Sequence, residues 1–132
     1  MRKIFTLTIL LITIYSNFIF AQSKVFDNLT MKSEILDMER NYSVYLPPDY
    51  ETSSRSYPVL YLLHGLGDDH TGWVQFGEVK KIADDSILNG DSTPMIIVLP
   101  DANTGYVGYI NIPNENWLYE DFFFKQKTAY EI

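Results

Sequence analysis

Apolar and polar residues divide the chain into segments with different periodicities. Residues 31–36 are short and mixed, and in residues 41–46 every second side chain is apolar: Tyr42, Val44 and Leu46. This alternation predicts two early β-strands that pair as antiparallel neighbours. Pro47-Pro48 ends the second strand, because proline has no N–H to donate, and the polar residues 51–56 then form a turn.

Two later apolar runs, residues 59–63 and 95–99, show no alternation. A strand of this kind is typical of a parallel sheet that is covered on both faces. A helix is predicted over residues 78–88, with Asn89-Gly90 as its stop signal. Its apolar residues recur on one face: Val79, Ile82, Ala83 and Ile87. Strand, helix and strand in this order predict the α/β class, with a parallel sheet and a crossover helix.

The stretch after the second run is predicted to be a loop over residues 102–116. Residues 117–124 are predicted to begin another helix. The sequence shows no internal repeat and no second domain, so one domain is expected.

The first 21 residues have the pattern of a secretory signal peptide: a basic start at Arg2 and Lys3, an apolar stretch over residues 4–20, and a small residue at Ala21. The alternative is an uncleaved anchor, since a membrane span needs about 20 apolar residues. Scattered Thr, Ser and Asn side chains favour cleavage. We therefore expect a secreted or periplasmic protein without a stable membrane span after cleavage. The chain has no cysteine, which argues against a lipoprotein and against a disulfide-stapled module.

The last residues do not continue any earlier pattern. Phe-Lys-Gln-Lys-Thr-Ala-Tyr-Glu at residues 124–131 is the translation of a DNA string that resembles a common sequencing-library adapter. Our hypothesis is that residues 125–132 are such an artefact, and the alternative is a natural, poorly ordered C-terminus. A complete α/β enzyme of the kind considered below has roughly 200–250 residues. We therefore expect residues 22–124 to be the N-terminal part of a domain that is truncated after its first parallel strands.

Charge excludes one class of partner. Arg2 and Lys3 are the basic residues of the first 21, so the remainder has 8 basic and 17 acidic side chains and a net charge of -9. Nucleic-acid binding depends on neutralising phosphates with Lys and Arg, so no nucleic-acid partner is expected. We interpret the negative charge as favouring solubility.

Two segments follow the predicted parallel strands directly. Ligands of open α/β sheets bind beyond the carboxyl ends of the strands, which is where residues 64–67 and Asp101 fall. Gly65 and Gly67 permit a sharp turn and leave backbone amides that can face a cleft and hold an oxyanion. An ordinary strand-ending turn is the alternative, because it uses glycines equally well.

Four motifs occur in order: Tyr-Ser-Val-Tyr-Leu-Pro-Pro-Asp-Tyr at residues 42–50, Tyr-Pro-Val-Leu-Tyr-Leu-Leu-His-Gly at 57–65, Pro-Met-Ile-Ile-Val-Leu-Pro-Asp-Ala at 94–102, and Tyr-Glu-Asp-Phe at 119–122. Together they resemble the "putative esterase" family of α/β-hydrolases. This family includes feruloyl and acetyl-xylan esterases, S-formylglutathione hydrolases (esterase D), enterochelin-type esterases and mycolyltransferases. The resemblance covers about residues 33–122.

The resemblance implies an α/β-hydrolase fold and a partial site. The oxyanion hole would use the amide of Leu66, with Gly65 giving room. His64, Trp73 and Asp101 become candidates for the substrate pocket. Trp73 would wall the acyl or alcohol side, or else pack a helix on the core. Asp101 would shape a loop as a hydrogen-bond acceptor.

Serine esterases need a nucleophile on a Gly-x-Ser-x-Gly turn, an acid and a histidine, in this chain order. The nearest string, Gly-Asp-Ser-Thr-Pro at residues 90–94, lacks the final glycine and precedes a strand. No catalytic nucleophile, acid or base is therefore expected in this chain, and all three are expected downstream. His64 comes too early in this order to be the base.

No metal and no cofactor are predicted. His70 follows Asp68-Asp69, and we interpret it as part of a polar surface turn. Asp101-x-Asn103-x-Gly105 resembles the start of a calcium loop, but Ile112 stands where the closing acidic ligand belongs.

The predicted function is an exported serine carboxylic-ester hydrolase of the feruloyl or acetyl-xylan esterase kind. Its substrate would be a small-molecule or polysaccharide-linked ester, and the chain as written would be inactive. A non-catalytic secreted binding or scaffold protein is the alternative from another class. A siderophore esterase or an acyltransferase is the alternative among enzymes.

Overall fold

The computed structural model describes residues 22–102, 108–112 and 117–125, with side chains up to residue 122. The predicted signal peptide (residues 1–21) and residues 126–132 of the predicted artefact lie outside the described residues. The elements in chain order are β1 (Lys24–Ser33), β2 (Met38–Leu46), β3 (Val59–Tyr61), α1 (Gly72–Gln75), α2 (Val79–Leu88), β4 (Ile96–Pro100), β5 (Asn111–Ile112), β6 (Trp117–Leu118) and α3 (Tyr119–Lys125).

One four-stranded sheet organises the fold, with strand order β1-β2-β4-β3. β1 and β2 are antiparallel, β2 and β4 are antiparallel, and β3 and β4 are parallel. The antiparallel early strands and the parallel strand–helix–strand unit are thus confirmed. The first strand was misplaced, because it begins at Lys24 and ends at Ser33, and residues 34–37 form a turn. The short helix α1 was not predicted.

The two central strands, β2 and β4, contribute buried side chains to a hydrophobic cluster on each face of the sheet. On the face that meets α2, Tyr45 packs with Ile97 and Leu99. On the opposite face, Val44 packs with Val98. Ser43 is also buried, so β2 is covered on both sides although its sequence alternates.

β3 is the edge strand of the sheet, and the prediction that both its faces are covered is wrong. Val59 is 48% exposed, and Leu60, Tyr61 and Leu63 are exposed as well. Within the described residues, β4 is the partner of β3, and no strand pairs with its other edge. An apolar run shows that a strand tends to be buried, but its place in the strand order decides whether anything covers it.

Helix α2 lies where the crossover helix was predicted, and Val79, Ala83 and Ile87 face the sheet. Ile82, predicted on the same face, is exposed. A polar contact adds to the apolar ones: the Asp84 carboxylate accepts hydrogen bonds from the Tyr45 hydroxyl at 2.9 Å and from Ser23, Oγ, at 2.7 Å. The helix is therefore joined to β2 and to the start of β1. Lys80 also donates to the Asp84 carboxylate, from Nζ at 2.7 Å.

The segment after β4 is partly regular. β5 and β6 form a two-stranded antiparallel sheet, and α3 begins two residues later than predicted. Tyr119 and Phe122 of α3 form a buried cluster with Leu36 and Ala102, which seats this segment on the residues that follow β4. Among the helices of the described ranges, none has the length and apolarity to cross a membrane.

Candidate active site

The carboxyl ends of the parallel strands β3 and β4 bring together the two segments that the sequence singled out. His64, three residues beyond β3, is buried, and its Nε2 accepts a hydrogen bond from the backbone N–H of Ala102 at 3.1 Å. Its Nε2 lies 3.9 Å from Oδ1 of Asp101, which follows β4. The structure thus brings both segments together beyond the carboxyl ends of β3 and β4, where ligands of open α/β sheets bind.

The partners of the His64 ring define its tautomer. A backbone N–H only donates, so Nε2 must present a lone pair to Ala102. A backbone carbonyl only accepts, so Nδ1 must carry the proton that it shares with the Gly65 oxygen at 2.8 Å. Both ring nitrogens are engaged with backbone groups. His64 therefore donates from Nδ1, accepts at Nε2 and joins the turn after β3 to the loop after β4.

The peptide unit between Gly65 and Leu66 has a fixed direction. Its carbonyl oxygen accepts from His64 and also from the N–H of Asp68 at 3.2 Å. No peptide bond of the described residues is cis, and in a trans peptide the C=O and N–H point in opposite directions. The Leu66 N–H therefore points away from the buried imidazole, and Leu66 is 73% exposed.

The amides of this turn have no acceptor among the described residues. In the part of the chain that the structure describes, the N–H groups of Gly65, Leu66 and Gly67 form no hydrogen bond. Gly67 has a φ of 77°, a left-handed conformation that a side chain disfavours. A Cβ built at Gly65 would meet no described atom within 4 Å, and the expectation that this glycine gives room in the oxyanion hole stays a prediction.

Trp73 approaches the same turn from α1. Its indole Nε1–H donates to the Leu63 carbonyl at 2.9 Å, so it contacts the short segment between β3 and His64. Its ring also lines an apolar cavity of about 270 Å³ between α2 and the sheet, together with Leu62 and Ile87. These contacts are those of a residue that packs a helix on the core, which is one of the two roles considered for Trp73. A role in the acyl or alcohol pocket stays a prediction.

Tyr109 was missed, because it lies in a stretch that was predicted to be a loop. Its hydroxyl oxygen accepts a hydrogen bond from the backbone N–H of His64 at 3.0 Å, and the two rings lie 5.2 Å apart. Burial raises the pKa of Tyr109, and the hydrogen bond from His64 lowers it only in part. The hydroxyl therefore keeps its proton at neutral pH.

Arg40 was also missed, because one basic residue in an alternating strand gives no sequence signal. Its Nε and Nη2 donate to the Asp101 carbonyl oxygen at 3.2 and 3.0 Å, and Nη2 lies 3.2 Å from Oδ2 of the same residue. The side chains are 14% and 9% exposed. The guanidinium also lies over the Tyr119 ring, 5.4 Å from its centre. Asp101 is thus one partner of a buried ion pair beside the candidate site.

Other candidate residues lie away from this arrangement. Ser92 is in the turn between α2 and β4, and its hydroxyl donates to the Thr93 carbonyl, so the Gly-Asp-Ser-Thr-Pro string is not a strand-to-helix turn. His70 lies in a turn, as predicted, but its side chain is only 11% exposed and so is not a surface side chain. Hydrogen bonds from Thr71 lower the pKa of the neighbouring Asp69.

The described residues contain no group of three or more His, Asp or Glu side chains arranged to hold a metal ion. Asn103 and Gly105 of the rejected calcium-loop pattern lie outside those residues.

Known proteins share this arrangement of strands and motifs. The model of the family described as "Putative esterase" matches residues 33–123. An endo-1,4-beta-xylanase/feruloyl esterase of Xylanibacter ruminicola is 36% identical over 75 residues, which are 54% of this chain and 10% of that protein. A solved ferulic acid esterase is 38% identical with a TM-score of 0.71, over 80% of this chain and 42% of that one. The ferulic acid esterase of Anaeromyces mucronatus, solved with ferulic acid, is 26% identical with a TM-score of 0.57, over 82% of this chain and 40% of that one.

The chain spans less than half the length of each of these relatives. The family match nevertheless extends over most of the chain and includes both segments that meet at His64. The resemblance that the sequence motifs indicated is thereby confirmed, and the protein belongs to the family described as "Putative esterase".

Proposed function

We propose that this chain is the oxyanion side of an exported serine carboxylic-ester hydrolase with the α/β-hydrolase fold. The observation that carries the proposal is the direction of the Leu66 amide. Two donors hold the carbonyl of the same peptide unit, and the N–H on its other side has no acceptor within the described residues. A backbone N–H fixed in this way before substrate arrives needs no reorganisation when charge develops.

The chemistry assigned to this amide is stabilisation of the tetrahedral intermediate. When a serine oxygen attacks an ester carbonyl, the carbonyl oxygen becomes an anion, and an N–H in hydrogen-bond reach lowers the energy of that state. One such donor is worth roughly 10²–10³ in kcat. In α/β-hydrolases a second donor is the N–H of the residue after the nucleophile. That residue would be supplied by sequence downstream of this chain.

The remaining parts of the mechanism are proposed to lie downstream as well. A serine must lose its proton to a histidine that an acidic residue orients, and the alcohol then leaves with that proton. His64 is unsuited to this work, because both ring nitrogens are bonded to backbone groups. The chain as written is therefore proposed to be inactive.

The proposed substrate class is a feruloyl or acetyl ester carried by plant polysaccharide. The support is twofold: the matched relatives are named as feruloyl or ferulic acid esterases, and one of them also as a xylanase. The basic and apolar start of the chain supports action outside the cytoplasm, in the periplasm or the medium. Siderophore esters and acyl transfer are the enzymatic alternatives, and a binding or scaffold role is the alternative without catalysis.

The test begins with the source DNA downstream of the codon for Phe122. A frame that continues into Gly-x-Ser-x-Gly, and whose product releases ferulate from methyl ferulate or acetate from acetylated xylan, would support the proposal. A matched control is the same product with alanine at the motif serine. A natural stop codon directly after residue 132, preceded by codons that differ from the adapter string, would contradict it and favour the binding or scaffold protein.

A further inference from the structure

A second peptide unit near the site is held in the same manner as the one between Gly65 and Leu66. The carbonyl oxygen of Asp101 accepts two hydrogen bonds from the Arg40 guanidinium, at 3.2 and 3.0 Å. The N–H of Ala102 belongs to the same trans peptide and points the opposite way, to Nε2 of His64 at 3.1 Å. Arg40 thus holds the oxygen side of the peptide unit whose N–H donates to His64.

These contacts form one continuous path. Arg40 orients the Asp101–Ala102 peptide, the Ala102 N–H fixes the tautomer of His64, and the Nδ1 proton of His64 orients the Gly65–Leu66 peptide. We propose that Arg40 is a positioning residue for the Leu66 amide and acts through His64. The catalytic meaning of this inference rests on the proposed esterase function, whereas the path itself does not.

The chemistry of the arginine side chain suits this task. Its planar fork donates from Nε and Nη2 to one carbonyl, and Nη2 also meets the Asp101 carboxylate at 3.2 Å. Contact with the Tyr119 ring limits the movement of the guanidinium from another side. A lysine would keep the charge, but its single ammonium lacks the planar fork. The structure therefore distinguishes the charge of Arg40 from its geometry.

The experiment is nitrogen NMR of the chain from Gln22 onward, unsubstituted and as Arg40→Met and Arg40→Lys. The sequence has two histidines, so the ring signals of His64 are assigned by comparison with His64→Gln. The unsubstituted chain should show His64 with its proton on Nδ1 and slow exchange of the Ala102 amide. Arg40→Met should give a mixture of tautomers and at least tenfold faster exchange of Ala102.

A matched control is Arg55→Met. Arg55 also pairs with an aspartate, Asp49, at 2.7 Å, and lies over a tyrosine ring, Tyr57, at 4.8 Å, but it is not part of the path. This variant should leave the His64 signals unchanged. The amide of Leu62, which donates to the Val98 carbonyl, serves as the reference for general opening of the sheet.

Two results would overturn the inference: an unchanged His64 tautomer in Arg40→Met, or Ala102 exchange that increases only as much as that of Leu62. If Arg40→Met does not fold, Arg40→Lys decides, because it keeps the charge and should still accelerate Ala102 exchange several-fold more than Leu62 exchange. All of these signals are independent of ester hydrolysis. A negative esterase assay would therefore contradict the proposed function alone. A negative NMR result would contradict only the positioning role of Arg40.

Discussion

Replacing Asp84 with alanine removes the acceptor that joins α2 to the sheet. The Tyr45 hydroxyl, on a fully buried side chain, loses its partner at 2.9 Å, and the Ser23 hydroxyl loses its partner at 2.7 Å. A buried hydroxyl left without a partner costs about 1–3 kcal/mol, and the exposed Lys80 pair contributes about 0.3–0.5 kcal/mol more. We expect Asp84→Ala to lower the free energy of unfolding by about 2–3 kcal/mol.

The neighbouring residue Asp85 provides the matched control. It pairs with Lys81 at 2.7 Å on the exposed side of α2, four residues along as in the Lys80–Asp84 pair. Asp85→Ala should therefore cost only about 0.3–0.5 kcal/mol. Urea unfolding followed by tryptophan fluorescence separates the two, because a slope of about 1–3 kcal/mol per molar urea gives a midpoint shift of about 0.7–3 M for Asp84→Ala and of at most about 0.5 M for Asp85→Ala.

A double-mutant cycle with Tyr45→Phe isolates the hydrogen bond itself. Tyr45→Phe should cost about 1 kcal/mol alone and much less in the Asp84→Ala background, because the acceptor is then already gone. Equal costs for Asp84→Ala and Asp85→Ala, or additive effects of Tyr45→Phe and Asp84→Ala, would refute this explanation of how α2 is held.

Three further predictions concern pH, the edge strand and activity. Burial raises the pKa of Asp84, but hydrogen bonds from Lys80, Ser23 and Tyr45 outweigh burial and leave the pKa lowered. The stabilisation that the ionised Asp84 carboxylate provides should be complete above the unfolded pKa, about 3.9, and should be lost as the pH falls through the lower folded pKa. Acid-unfolding curves of the unsubstituted chain and of Asp84→Ala test this. Val59→Lys places a charge on the exposed edge strand and should reduce self-association in sedimentation experiments. Leu88→Lys, at a still more exposed apolar position in α2, should not reduce it, and an identical effect of both would exclude the edge as the cause. The chain as written should not hydrolyse p-nitrophenyl acetate above a blank from the same host, and turnover that persists in a host without its own esterases would disprove this.

The sequence predicted the strands and helix whose signals are local. Periodicity and the prolines located β2, β4 and α2, because a strand or helix of this length repeats its apolar residues at a fixed spacing. Burial was less predictable, since it depends on strand order. β2 alternates in sequence but lies second in the sheet, and β3 is apolar but lies at the edge.

The sequence predicted the location of a site residue only where that residue directly follows a predicted strand. His64 and Asp101 follow parallel strands, so their position beyond the carboxyl ends of those strands was predicted, whereas their contact with each other was not. Arg40 and Tyr109 were not predicted, because each reaches the site from a segment distant in sequence, and neither carries a motif. The direction of the Leu66 amide likewise depends on hydrogen bonds that no residue pattern encodes.

The central claim is that the Leu66 N–H stabilises the oxyanion of a serine esterase. The most direct measurement is kcat for methyl ferulate with the complete gene product carrying Leu66→Pro, which lacks this N–H, beside Leu66→Ala, which keeps it. With both variants folded by circular dichroism, the account predicts a loss of roughly 10²–10³ in kcat for Leu66→Pro and a change of only about twofold for Leu66→Ala. Equal kcat values for the two variants would contradict it.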